Sequence, residues 1–200
     1  MALKKRVKVG NITNLSDARY CAGMGVDMLG FKIDEVNGDG ISSAKFGDIS
    51  NWVSGPELVL ELSDISADTV LDGLKINLIE LPVTKISSLD SIKTTFNFII
   101  TLSLKDWIPY SPMLKRNKKR IKYLLLTDLS GLDSSKVRDR IQQMSADFSL
   151  LLGCDLTPRL LEDYLQWPIA GFALNGSEET SPGSKDYEHL SSILEALEIE

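Results

Sequence analysis

The chain has 200 residues, 43% of them hydrophobic and 25% charged, with a formal net charge of −6. That is enough chain for one good core and an ordinary composition for a soluble globular protein, while the negative balance argues against nucleic acid or an anionic membrane as partner. The basic start MALKKR leads into no signal-peptide stretch, no apolar run approaches the ~20 residues of a membrane span, and Cys21 and Cys154 form no CxxC pair; a cytoplasmic protein is expected.

Short apolar runs alternate with amphipathic stretches along the whole chain. Val7-Lys8-Val9 opens the series and leads into Gly10-Asn11. A helix is expected over 14–25, with Thr13, Asn14 and Ser16 as capping chemistry and Leu15, Ala18, Ala22 and Met24 on its inner side. Strands are expected at Met28–Phe31, Leu58–Leu62, Ile76–Leu81, Phe96–Leu102 and Ile121–Thr127. The segments after the fourth and fifth strands read weakly as helices, because Pro82, Pro109 and Pro112 mark loops there. Lys115–Arg120 reads as a solvated basic loop before the sixth strand. A helix over Ser134–Met144 would bury Val137, Ile141 and Met144. The strand Phe148–Leu152 follows, then a helix opened by Thr157-Pro158 that would bury Leu160, Leu161, Tyr164 and Leu165. The strand Ile169–Leu174 and a closing helix, Tyr187–Leu197, complete the pattern. Trp52, Trp107 and Trp167 read as packing between helices and sheet.

Near-continuous apolar runs suit strands covered on both faces, as in parallel sheets. Eight such units in 200 residues give about 25 residues each, which predicts a compact (β/α)8 barrel occupying residues 1–200 as a single domain. A doubly wound open sheet is the alternative.

Three stretches carry a family resemblance. Lys8-Val9-Gly10-Asn11-Ile12-Thr13, with Asp17-Ala18 and Gly25-Val26-Asp27-Met28-Leu29-Gly30-Phe31 beyond it, resembles the start of phosphoribosylanthranilate isomerases, which read K-[IV]-C-G-[IL]-T, then D-A, then G-A-D-x-x-G-F. Leu156-Thr157-Pro158 is similar to the L-[TS]-P after their seventh strand, and Ser181–Asp186 to the S-P-G-x-K-D after their eighth. The resemblance implies a barrel of tryptophan biosynthesis that performs an Amadori-type aldose–ketose isomerisation. It implies a small phosphorylated ligand and neither metal nor organic cofactor. In that family a strand-one Cys is the base, a strand-six Asp is the acid, and turns after strands seven and eight hold the phosphate.

This sequence departs from that pattern at each of those places. Gly10 stands at the position of the base, and a glycine cannot accept a proton; Gly10-Asn11 also suits a tight strand-to-loop turn. Asp128 lies one or two places after the acid position and is the candidate acid, or else the cap of the next turn. Asp155 and Asn175-Gly176-Ser177-Glu178 replace the phosphate turns, with Asn11, Asn175, Gly176 and Ser177 left as candidate ligand-binding residues. Asp39 stands where the family has an arginine for the anthranilate carboxylate, and Ser130–Asp133 replaces a G-G-T-G stretch.

Glu61 and Glu80, ending strands three and four, form a candidate carboxylate pair for acid–base work or a divalent cation; solvated strand-end charges would look the same. His189 falls on the last helix, where a surface role is expected. The expected function is that of a divergent isomerase homologue, weak or inactive in the family reaction. A non-catalytic binding or partner protein on the same barrel, or a different enzyme using the strand-end carboxylates, are the alternatives. Oligomeric state is left open.

Overall fold

The structure, a computed structural model, describes residues 2–33, 40–64, 76–92, 95–130, 134–154, 156–176, 179–181, 184–185 and 188–199. Eight parallel strands close into a barrel in chain order. They are β1 (Arg6–Gly10), β2 (Met28–Lys32), β3 (Glu57–Glu61), β4 (Leu78–Pro82), β5 (Asn97–Ser103), β6 (Ile121–Asp128), β7 (Leu150–Leu152) and β8 (Gly171–Asn175). β1 pairs with both β2 and β8, which closes the ring. The expected barrel is therefore what the chain forms, and the open sheet is set aside.

Alternation along the strands divides two cores. Val7, Val9, Leu29, Phe31, Leu60 and Ile79 point outward into the layer beneath the helices. Met28, Val59, Leu78, Ile99, Leu151 and Ala173 point inward and fill the barrel. Inward-facing Lys8, Gly10, Gly30, Glu61 and Glu80 follow the same period of two toward the carboxyl ends of their strands. Toward the opposite end Lys122 pairs with Glu57 at 2.5 Å.

The helices are α1 (Leu15–Gly23), α2 (Ser43–Trp52), α3 (Trp107–Arg116), α4 (Ser134–Ser145), α5 (Pro158–Leu165) and α6 (Glu188–Ala196). Side-chain caps start α1, α2 and α5: Asn14 accepts from the Asp17 N–H, Ser42 from Lys45 and Thr157 from Leu160. A 3₁₀ segment, Val83–Ser91, takes the helix position after β4. Two short antiparallel strands, β9 (Glu179–Ser181) and β10 (Ser184–Lys185), follow β8 and were not expected.

Several sequence expectations are corrected. Pro109 and Pro112 lie inside α3, not in a loop. Pro109 falls in the first turn, where no N–H is needed. Pro112 cannot donate to the Ile108 carbonyl four residues back, and the Ser111 hydroxyl donates to it instead at 3.3 Å. The basic run Lys115–Arg120 is folded rather than a free loop. Lys115 and Lys118 pair with Asp147 at 3.0 and 2.9 Å, and Arg120 donates to the Leu89 and Ile92 carbonyls beneath it. Trp52 is 68% exposed and packs nothing between helix and sheet, and Leu160 turns outward while Leu161 is buried. Trp107 is buried edge-on against Phe148, as expected of it.

Candidate functional site

Three charged side chains from three strands meet inside the barrel. The Lys8 ammonium bonds the Glu61 carboxylate through Oε1 and lies 2.8 Å from Glu80 Oε2. Side-chain exposure is 3% for Lys8, 19% for Glu61 and 15% for Glu80, so the lysine is sealed behind two carboxylates that keep an edge in solvent. β3 and β4 set Glu61 opposite Glu80 in register, which fixes the pair. The carboxyl end of the strands is where barrels of this class carry their chemistry.

Glu61 needs space, and two glycines provide it. Its side chain leans across β2 toward β1, and a Cβ on Gly10 or on Gly30 would fall on Glu61 Oε1 well inside contact distance. The Gly30 Cβ would also sit 2.6 Å from Glu61 Cδ and 3.0 Å from the Gly10 Cα. Gly10 has no left-handed φ, so it is glycine for room and not for a turn. The turn belongs to Asn11, the one described non-glycine residue with positive φ, at 54°. In that conformation its N–H donates to Glu61 Oε2 at 3.1 Å. Both oxygens of Glu61 are thus held, one by an ammonium and one by a backbone amide.

Electrostatics separates the three groups. Burial disfavours the Lys8 ammonium, yet Glu80 and Glu61 together outweigh that and hold its pKa above the ordinary lysine value. A lysine held cationic is no nucleophile. Burial is also the largest influence on Glu80; with the repulsion of Glu61 it overcomes the attraction of Lys8 and raises the carboxyl above its usual range. The strand-end pair that the sequence suggested is therefore a real neighbour pair, not two solvated ends. Lys8 between them occupies the place a bridging cation would need. Sequence reasoning missed Lys8 as a site residue. The signal was there: in Val7-Lys8-Val9 the valines face outward, so the lysine must face the barrel axis.

The other candidates are placed as follows. Asp128 ends β6 with both carboxylate oxygens engaged by Ser130, whose N–H and hydroxyl each donate at 2.8 Å. Those bonds hold its carboxyl below the ordinary range. The Gly176 N–H donates to the Gly10 carbonyl at 2.7 Å, so it closes the β1–β8 junction and does not face an anion. Asn175 is exposed at the end of β8 and lines a cavity of about 200 Å³ with Cys154, Leu156 and His189. Exposed His189 is therefore on α6 as expected, at the edge of this cavity. Asp39, the 131–133 stretch, Asp155, Ser177 and Glu178 lie outside the described residues. Among the described residues no group of three His, Cys, Asp or Glu side chains could hold a metal ion, and no helix is long and apolar enough to cross a membrane.

A closed parallel barrel with a lysine–dicarboxylate cluster at its mouth is thus the class that fold and site define. No protein family model and no curated protein matches the chain. Solved structures do. Phosphoribosylanthranilate isomerase from Thermotoga maritima superposes with a TM-score of 0.76 at 19% identity over 96% of this chain and 98% of that one. The Thermus thermophilus enzyme gives 0.70 at 19% identity over the same shares. 3-Keto-L-gulonate-6-phosphate decarboxylase from Vibrio cholerae gives 0.64 at 13% identity over 98% and 96%. The likeness establishes the barrel; at these identities it leaves the chemistry to the residues.

Proposed function

We propose that this chain is a divergent homologue of phosphoribosylanthranilate isomerase that is weak or inactive in the family reaction. The single observation that carries the reading is the Glu61 carboxylate lying across Gly10. Where the family resemblance calls for a base on the first strand, this chain has no side chain, and a carboxylate from the third strand takes up the room. Loss of a positioned general base lowers rates by ~10²–10⁴. Asp128 supplies no substitute acid in this reading, because both its oxygens are turned onto Ser130. A phosphorylated sugar is also poorly served, since the Gly176 amide is engaged and two carboxylates face one ammonium at the mouth.

Complementation tests this directly. A strain lacking the isomerase and expressing this protein in soluble form is expected not to grow without tryptophan. Growth at the rate given by a competent isomerase would overturn the reading. A second reading, a different enzyme on the same barrel, is favoured by one observation: Lys8, Glu61 and Glu80 converge although the barrel's stability does not call for them. Replacing buried ion pairs by apolar residues of similar volume is often neutral or stabilising.

A further inference from the structure

We propose that a cleft at the amino end of the barrel binds a small organic diphosphate, with Lys4, Lys5 and Arg6 holding its phosphate groups. The cleft lies at the opposite end of the strands from Lys8, Glu61 and Glu80, so the inference goes beyond the function proposed above and does not depend on it.

The cleft has a volume of about 500 Å³, inside the ~300–1,000 Å³ range of small-molecule sites. Its walls come from the residues that lead into β1, β2 and β8. They include Leu3, Lys4, Lys5 and Arg6 from the first, Asp27 from the second and Ile169 from the third. The backbone that carries the cations is anchored. The Lys4 N–H donates to the Leu197 carbonyl at 2.8 Å, the Ile199 N–H to the Ala2 carbonyl at 3.0 Å, and the Arg6 N–H to the Ala170 carbonyl at 3.2 Å. Leu3 forms an antiparallel bridge with Glu198, which does not itself line the cleft. The first residues are thus tied down by the last ones and are not a loose chain end. A ligand need not order that backbone, which lowers the cost of binding.

Charge selects the ligand. The chain carries a net charge of −6, yet this cleft sets three cations against one carboxylate. That carboxylate is already engaged: Asp27 Oδ2 accepts from the Val7 N–H at 2.8 Å, and Oδ1 lies 3.7 Å from Arg6 Nη1. The Lys5 ammonium donates to the Ile169 carbonyl at 2.9 Å, and the Lys4 ammonium to the Ala196 carbonyl at 3.4 Å. Among the described residues no carboxylate pairs with either lysine. An ammonium has three N–H donors, so each lysine keeps two for an anion. The Arg6 side chain is 57% exposed and adds a fork suited to phosphate oxygens.

Three cations drawn onto a single phosphate group would crowd like charges together. Two linked phosphate groups spread them apart. The volume is more than a bare diphosphate fills, and Leu3 and Ile169 offer apolar wall to a neutral organic body.

Calorimetric titration and thermal unfolding of the full chain test the proposal with ADP as the probe, beside inorganic pyrophosphate and citrate. ADP is expected to bind with a Kd below ~1 mM, more weakly as salt rises. It should raise the melting temperature by about 5–10 °C at a hundredfold excess over Kd. Pyrophosphate should bind less tightly than ADP, and citrate less tightly than either. Lys4→Gln, Lys5→Gln and Arg6→Gln should each weaken ADP binding roughly tenfold. Asp27→Asn keeps an acceptor for the Val7 N–H while removing the one negative charge, and should tighten binding, an effect that loss of structure would not give. It decides the matter if a cation variant does not fold. Lys85→Gln removes an exposed cation paired with Asp64, away from the cleft, and should leave binding unchanged. Absence of saturable ADP binding overturns the proposal. So does binding that persists undiminished in the folded Lys4, Lys5 and Arg6 variants, a loss as large in Lys85→Gln, or citrate binding ahead of ADP. Phosphoribosylanthranilate turnover, measured separately, bears on the proposed function alone.

Discussion

The carboxylate of Glu61 occupies the space that any side chain on Gly10 would enter. A residue on the third strand therefore dictates which residue the first strand can carry. The bare Gly10 and the buried charge cluster are two sides of one arrangement.

Gly10→Cys illustrates the coupling. The new Cβ would meet Glu61 Oε1 and lie 3.1 Å from Lys8 Nζ. Glu61 is flexible at that end and can swing away, at the loss of its Lys8 and Asn11 bonds. The variant should fold, lose roughly 1–3 kcal/mol of stability as overpacked sites do, and gain no isomerase activity. Thermal unfolding checks the first part. An unchanged melting temperature would show that Glu61 does not need this room.

Lys8→Met removes the cation and leaves Glu61 and Glu80 facing each other in a half-buried site. Breaking a buried ion pair from one side costs about 3–5 kcal/mol. For a chain of this size that is a fall of roughly 6–20 °C in melting temperature. Replacing all three residues together by apolar ones of similar volume should recover most of it. Calorimetry on the single and triple variants decides the matter, and an unaffected Lys8→Met protein would contradict the cluster.

Stability should carry the signature of Glu80. Burial, assisted by Glu61 and opposed by Lys8, raises its folded pKa above the usual 4.5. The folded state then holds this proton more tightly than the unfolded state. The contribution is fully present below the unfolded value and is lost as pH rises through the folded one. Melting temperatures across the acidic to neutral range should show this decline in the native protein and lose it in Glu80→Gln. Lys8 acts at the other end: its raised pKa contributes stability below 10.5 that is lost as pH climbs through the folded value.

Asp128 is expected to behave as a turn residue. Its carboxyl is held low by the Ser130 amide and hydroxyl, so its contribution is present above 3.8 and lost as pH falls through the folded value. The Ser130 amide resonance should therefore move with acid, and Asp128→Ala should abolish the movement. A Ser130 resonance that moves with acid just as far in Asp128→Ala would contradict the turn role.

Much of the barrel was legible because its strands are near-continuous apolar runs and its helices begin with recognisable caps such as Asn14 and Thr157. α3 was obscured by Pro109 and Pro112, whose missing donors are tolerated in a first turn and made good by Ser111, a compensation no periodicity reveals. The site was half legible. Glu61 and Glu80 could be placed at strand ends by counting, and Gly10 could be seen to lack a side chain. That these facts are one arrangement depends on Glu61 leaning across Gly30, and side-chain direction across three strands is not written in the order of residues. Lys8 went unread because a lysine between valines resembles an exposed strand residue until the closed barrel gives the strand an inside.

The proposed weak activity rests most heavily on the absence of a side chain at Gly10 beneath Glu61, and an assay of purified protein with phosphoribosylanthranilate tests it most directly. Turnover at least ~10²-fold below that of a competent isomerase is predicted, for the native chain and for Gly10→Cys alike. A kcat in the ~1–10³ s⁻¹ range of ordinary enzymes would contradict it.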